Sequence, residues 1–369
     1  MKIAQVSPLY ESVPPRLYGG TERVVSYLTE ELVRQGHDVT LFASGDSQTS
    51  ARLVSPCEKA LRLDPRCRDP LAHHMIQLAQ VFARAEAFDV IHFHVDYLHF
   101  PYSRQLEVPH VTTLHGRLDL PDLVPLYRAF DDVPVVSISE AQRSPLPWLN
   151  WQSTIYHGLP ADRHPPVATS GSYLAFLGRI SREKRVDRAI EIARRVGLPL
   201  RIAAKIDSAD REYYEAEIAH RLDDPLVEYL GEIGEADKAE FLGNAAAVLF
   251  PVDWPEPFGL VMIEAMACGT PTVAWRCGSV PEVIDPGVTG FIVGSIDEAV
   301  QAVERVPGLS RAACRARFEE RFSVERMARD YVGVYEQLAE EVEVAVPAVA
   351  VKEAAPWKTL FASKTITTS

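Results

Sequence analysis

The chain reads as an α/β protein of two doubly wound, parallel-sheet domains that face one another across a cleft. Three observations predict this. Short apolar runs rich in β-branched residues alternate with amphipathic helical stretches almost without interruption, a pattern that implies parallel strands covered by helices on both faces. The alternation breaks once, between Gly158 and Gly171, in a segment of proline, histidine and small residues with the composition of a linker. And 369 residues, 47% hydrophobic and 24% charged, suffice for two soluble domains of ordinary size.

Taken in order, Lys2 to Ser7 reads as a buried strand. A proline- and glycine-bearing loop follows, and Thr21 opens a helix whose stripe of Val24, Val25, Leu28 and Leu32 ends at Gly36. Val39 to Ala43 is the next strand, and segments 89–94, 109–114, 134–139 and 153–156 repeat it. After the linker come strand 173–177, helix 186–196, strand 199–204, helix 209–222, strand 227–230 and helix 235–244. Strand 246–250, helix 258–268 and strand 271–274 follow, with further helices from Asp297, Ser310 and Ser323. The first domain spans 1–160 and the second 172–322. Residues 342–369, rich in Ala, Val, Pro and Thr without periodicity, read as a disordered tail.

A net charge of −13 argues against a general affinity for nucleic acid or an anionic membrane surface. Five cysteines without C-x-x-C spacing support neither a disulfide framework nor a zinc site. The chain starts directly as a strand without a signal peptide, and no run approaches the ~20 apolar residues of a membrane span. These features predict a cytoplasmic, soluble protein.

In two facing doubly wound sheets, ligand binds at the carboxyl ends of the strands, so the informative loops are those that follow strands. The richest is Asp253 to Gly269. Pro255 and Pro257 hold Glu256 extended, and the apolar helix behind them stops at Gly269. Its start aims free N–H groups and the positive dipole end forward, an anion site. Glu264 lies about one turn inside. A loop carboxylate, a helix carboxylate and an anion cradle between them suit a nucleotide sugar. Arg179 and Lys184, after the strand ending at Gly178, suit a diphosphate, Arg as a bidentate fork and Lys as a point charge.

Weaker signals accompany these. Gly19 and Gly20 precede the first helix and permit close approach of phosphate or sugar, although a plain turn explains them equally well. His115 ends a strand that faces the cleft. Lys205 also closes a strand, placed either to reach the same anion or to face solvent. His92 and His94 share one strand face with His99 beyond; polar filling is the simpler reading than a metal site, because only Asp96 lies near to complete a ligand set. Neither G-x-G-x-x-G after a strand nor G-x-x-x-x-G-K-[ST] occurs, so dinucleotide and P-loop readings lack their main support.

Together these features resemble the retaining glycosyltransferases of family 4, of GT-B fold, up to about residue 340. The resemblance rests on the E-x7-E pattern from Glu256 to Glu264, on Gly178-Arg179 with Lys184, on Gly19-Gly20, and on Gly278-Ser-Val-Pro-Glu-Val-Ile284. It implies that Glu264 holds the ribose and Glu256 the donor sugar. Phe258, Gly259 and Leu260 would offer backbone N–H groups, Arg179 and Lys184 would neutralise the diphosphate, and His115 would line the donor sugar. The loop from Gly231 to Ile233 would border the base. The helix over 323–341 would cross back to the first domain. The chain departs from the family at Arg185, where glycine is frequent, at Lys205, where glycine often ends the strand, and at His157, usually asparagine.

The expectation is a retaining hexosyltransferase acting on a UDP- or GDP-type donor and a hydroxyl acceptor, with no metal or other cofactor. Membrane contact would be at most peripheral, through a lipid-linked acceptor. A nucleotide-sugar epimerase and a non-catalytic nucleotide-sugar-binding protein are the rivals on this scaffold. A glycoside hydrolase using Glu256 and Glu264 as its pair would leave the cations without a purpose.

Overall fold

The computed structural model describes residues 1–168 and 171–345; among them the chain forms two all-parallel sheets of seven and six strands. The first comprises β1 (Lys2–Val6), β2 (Asp38–Phe42), β3 (Arg52–Val54), β4 (Val90–Phe93), β5 (His110–Thr113), β6 (Val135–Ser137) and β7 (Trp151–Thr154), in the order β3-β2-β1-β4-β5-β6-β7. Its helices are α1 (Gly20–Arg34), α2 (Pro70–Phe82), α3 (Phe100–Ser103), α4 (Leu123–Ala129) and α5 (Glu140–Arg143). The strand order reverses between β1 and β4, so the crevice of this half opens where the loops after those two strands diverge.

The second sheet comprises β8 (Tyr173–Arg179), β9 (Leu200–Lys205), β10 (Val227–Gly231), β11 (Ala245–Phe250), β12 (Thr272–Trp275) and β13 (Gly290–Val293), ordered β10-β9-β8-β11-β12-β13. Its helices are α6 (Val186–Val196), the short α7 (Arg211–Tyr213), α8 (Glu235–Gly243), α9 (Leu260–Ala267), α10 (Val280–Val283), α11 (Ile296–Arg305) and α12 (Arg311–Arg321). Here the reversal lies between β8 and β11. Arg179 ends β8, and the loops that follow β8 and β11 carry Lys184 and Glu256.

The last helix, α13 (Val324–Ala345), packs beside α1. Its Met327, Ala328, Tyr331, Val334, Tyr335 and Leu338 recur every three to four residues and all are buried, as an amphipathic helix requires. They join Val24 and Leu28 of α1 and Met262 and Ile263 of α9 in one apolar cluster that spans both halves. The linker is pinned: Leu159 donates to Phe322 O at 2.9 Å, and Arg315 takes the carbonyls of Ala161 and His164.

Three expectations need correction. The helix over 209–222 is broken: α7 runs into a wide π turn at Tyr214–Ile218 and a tight 3-10 turn at Ala219–Arg221. The buried anchors of this segment, Tyr213 and Ile218, are five residues apart, a spacing that a π turn aligns and an α-helix does not. The Phe258 helix starts two residues later, at Leu260. Val342 to Ala345, expected to open the tail, instead continue α13; the rest of that segment, residues 346–369, lies outside the described residues.

Candidate active site

Between the carboxyl edges of the two sheets lies a cavity of about 630 Å³. Its second-domain wall is the segment from Trp254 to Glu264. Gly259 sits in the left-handed region at φ +82 with no side-chain cap on α9, and this bend places the helix start at Leu260. A Cβ there would stand 2.8 Å from Met262 Cε and 2.9 Å from Phe250 Cζ, so glycine is required by conformation and by space alike. Gly259, Leu260 and Val261 line the cavity, and the N–H groups of Leu260 and Val261 have no intrahelical partner, whereas Met262 N donates to Gly259 O at 3.0 Å. Ser139 Oγ donates to Pro257 O and Ser279 Oγ to Phe258 O, each at 2.6 Å, and Ser279 N donates to Glu256 O at 3.0 Å. Gly278 packs against the Glu256 backbone so closely that a Cβ would overlap it. The segment is thus pinned from both domains.

Glu256 is buried and its carboxylate accepts from Lys184 Nζ and, at 2.8 Å, from Trp254 Nε1. Lys184 lies over the rings of Phe250 and Trp254 at 5.7 and 5.4 Å. Glu264, 1% exposed, is bound by Lys238 Nζ of α8 at 2.7 Å. Each carboxylate of the E-x7-E pattern therefore has its own lysine. Arg179 lines the cavity, yet its guanidinium stands among Asp210, Asp207 and Glu183 at 3.1, 3.8 and 3.9 Å. Lys205 is 3.3 Å from Asp207 and 5.7 Å from the Tyr18 ring centroid. Arg185, where the family often has glycine, holds φ +54, the conformation that explains a glycine there; bonds to Asp187 and Asp253 keep it in place.

On the first-domain wall, Gly20 opens α1 with Leu260 Cδ1 3.7 Å from where its Cβ would be, so the starts of α1 and α9 meet across the cleft. His115 is partly exposed to the cavity, and burial pushes its pKa down to about 3, so its ring is neutral. One ring nitrogen, Nε2, lies 2.8 Å from His94 Nδ1. His94 Nε2 meets Gln5 Oε1 at 2.8 Å, and Gln5 Nε2 donates to Tyr335 Oη at 3.1 Å. An amide oxygen can only accept, so His94 carries its proton on Nε2, His115 donates from Nε2, and His115 Nδ1 is left as an acceptor. His92 bridges Thr113 Oγ1 and Tyr335 Oη, and His99 bridges Thr112 Oγ1 and Ser103 Oγ. Both nitrogens of His92, His94 and His99 are occupied by protein groups, so this run fills polar positions.

Of the sequence-derived candidates, Gly19, Gly20, His115, Arg179, Lys184, Lys205, Ile233, Glu256, Phe258, Gly259, Leu260 and Glu264 all line the cavity. Gly231 does not: at φ +73 it is the bend where the β10 register shifts, and Glu232 beside it accepts from Tyr18 N at 2.9 Å. Sequence reasoning missed Lys238, Trp254 and Arg23. Arg23 is 2.7 Å from Glu235, which also accepts from Tyr27 Oη at 2.9 Å and lies 3.2 Å from Lys238. The two domains are thereby linked to the residue that holds Glu264. An i, i+3 Glu-Lys pair on a short helix was the only local signal. Among the described residues, His164, Glu235 and Glu264 form the one group spaced to hold a cation. Lys238 and Arg23 already balance its carboxylates, and it reads as an ion-pair network.

Residues 18–159 match the sequence profile of glycosyltransferase family 4, and residues 162–315 that of glycosyl transferases group 1. Alpha-maltose-1-phosphate synthase of Mycolicibacterium smegmatis is 25% identical over 399 residues, covering 92% of this chain and 100% of that enzyme. Sucrose-phosphate synthase from Thermosynechococcus elongatus superposes with a TM-score of 0.76 at 20% identity, over 92% of this chain and 99% of that one. Alr3699/HepE of Anabaena, solved in complex with UDP and glucose, gives 0.70 at 18% identity, over 93% and 100%.

Proposed function

The chain belongs to the family 4 glycosyltransferases and has their GT-B fold, and we propose that it moves a hexosyl group from a UDP- or GDP-type sugar to a hydroxyl acceptor, with retention at the anomeric carbon. One observation carries the proposal: Lys184, Arg179, the open start of α9 and buried Glu264 converge on a single cavity. Diphosphate departure while the sugar becomes oxocarbenium-like puts negative charge on phosphate oxygens, and fixed donors aimed there give most of the stabilisation in such catalysis. Lys184 and the N–H groups of Gly259 and Leu260 are held for that purpose. Arg179 leaves its three carboxylates to reach the same oxygens. Glu264 receives the ribose hydroxyls beside Lys238, Glu256 receives a hydroxyl of the donor sugar, and His115 Nδ1 accepts another.

In the transfer itself, the bond from the anomeric carbon to the β-phosphate oxygen breaks with its electron pair going to phosphate. The acceptor oxygen bonds to the same face of that carbon, and its proton passes to the departing phosphate oxygen. No protein nucleophile and no metal enter this scheme, since Arg179, Lys184 and the helix start provide the positive charge. That a protein of the same fold was solved with UDP and glucose supports a UDP-type donor. No helix among the described residues is long and apolar enough to cross a membrane, and five free cysteines accord with a cytoplasmic setting.

Thermal-shift measurements with UDP-, GDP- and ADP-glucose test donor binding, because a ligand that binds only the folded state raises its melting temperature. Lys184→Ala should lose on the order of 10²–10³ in turnover, by analogy with loss of one oxyanion donor, while keeping its fold. Near-normal turnover in that variant would falsify the role of Lys184.

A further inference from the structure

The cavity does not end at the donor residues. It continues past His94 and His115 to the loops after β1 and β4, the point where the first sheet reverses its strand order and where an open α/β sheet offers its own crevice. Asp96 stands there at φ +49, a left-handed conformation that is uncommon for a residue with a side chain. Such strain concentrates at functional sites. Among the described residues nothing hydrogen-bonds to or ion-pairs with its carboxylate, and crowding by the cleft walls raises its pKa to about 6 although the residue still presents surface to the cavity. Tyr10 and Tyr97, 41% and 37% exposed, line the same end.

The charge at this end is distinctive. Asp96 lines it with its carboxylate unpaired among the described residues. Glu22 is buried, accepts from Glu11 N at 3.3 Å and has its pKa raised by burial. The two arginines are paired, Arg62 with Glu11 at 3.0 Å and Arg23 with Glu235 at 2.7 Å. Burial holds the neighbouring imidazoles of His74, His94 and His115 below their ordinary pKa and so uncharged. A phosphate or carboxylate entering here would face the unpaired carboxylate of Asp96 and would have to draw Arg62 away from Glu11 to find a cation. A neutral molecule with many hydroxyls would find a carboxylate acceptor and the part-exposed ring of Tyr97, with Tyr10 beside it under the Arg62 guanidinium at 5.7 Å.

Resting on the transferase reading above, we infer that this end of the cavity binds an uncharged saccharide acceptor, with Asp96 accepting a hydrogen bond from one of its hydroxyls. The alternatives it excludes are sugar phosphates and lipid phosphates.

The test couples substrate choice to Asp96. Release of nucleoside diphosphate from UDP- and GDP-glucose is measured with glucose, maltose and maltotriose, and in parallel with glucose 6-phosphate and a polyprenyl phosphate in detergent. Neutral saccharides should be preferred by at least about tenfold in kcat/KM. Asp96→Asn, which tolerates the left-handed backbone, should raise the acceptor KM roughly tenfold, and Asp96→Gly, which relieves the strain and removes the group, by more, as loss of a charge-assisted hydrogen bond implies. Preference for a phosphorylated acceptor, or an unchanged acceptor KM in Asp96→Gly, overturns the inference. Absence of any thermal shift with UDP, GDP or ADP would instead sink the donor reading beneath it.

Discussion

At the scale of residues, the site is a set of charges held in readiness rather than left free. Lys184 rests on Glu256 and Lys238 on Glu264, so neither carboxylate is an uncompensated buried charge. His115 shows how a distant group sets a near one. Its acceptor nitrogen is dictated by Gln5 through His94, and Tyr335 of α13 holds the Gln5 amide in turn. Replacing Gln5 by Met keeps similar volume but removes the oxygen that selects the His94 tautomer. Gln5→Met is expected to erase about tenfold of the affinity by which the proposed sugar-nucleotide donor exceeds its nucleoside diphosphate, as measured by calorimetry. A role in stability alone would lower the melting temperature and leave that affinity ratio intact.

At the scale of elements, the decisive feature is where α9 begins. Two prolines and an apolar run marked a loop-to-helix junction, but only the left-handed Gly259 shows that the helix starts at Leu260. Gly259→Ala should cost about 1–3 kcal/mol, because the backbone is strained for alanine and the new methyl meets Phe250 and Met262. Urea midpoints matching those of the unmodified protein would show the bend to be permissive. Other elements were hidden for local reasons. α2 carries an Asp69 cap that accepts from Leu71 N at 3.0 Å and a proline in its first turn, a start signal that the preceding cysteine- and arginine-rich stretch obscured. β3 opens on Arg52 and β13 on Gly290, residues that interrupt an apolar run and so hid both strands.

At the scale of the whole molecule, polar contacts tie the two halves together and reach α13. Glu282 of α10 accepts from the N–H groups of Glu140 and Ala141 at the start of α5, both at 2.7 Å, and from Tyr156 Oη at 3.1 Å. This gives the Gly278–Ile284 motif an interdomain role besides backing Glu256. His92, His94, His99, His115 and His157 are all kept uncharged by burial. Their folded pKa values lie below the ordinary 6.5 of the unfolded chain, so the unfolded state takes up protons first as pH falls. Their contribution to stability is complete above about pH 6.5 and is lost below it, by up to about 1.4 kcal/mol per pH unit for each group. Denaturant midpoints should therefore drop between pH 7.5 and pH 5.5; equal midpoints would mean that these histidines titrate in the folded state.

Fold class, the run of most strands, the strand end that carries Arg179 and the loops that carry Glu256 and Lys184 were legible in the chain alone, because periodicity and the position of a loop after a strand are local properties. Residues that act through partners far along the chain were not. Lys238 meets Glu264 across 26 positions, and Gln5 meets Tyr335 across 330. The pairing of Arg179 with Asp207 and Asp210, and of Arg23 with Glu235, likewise depends on which loops the sheets bring side by side. Ion pairing, tautomer choice and the charge of the acceptor end are properties of that proximity, and proximity is decided only when the two sheets close over one cavity.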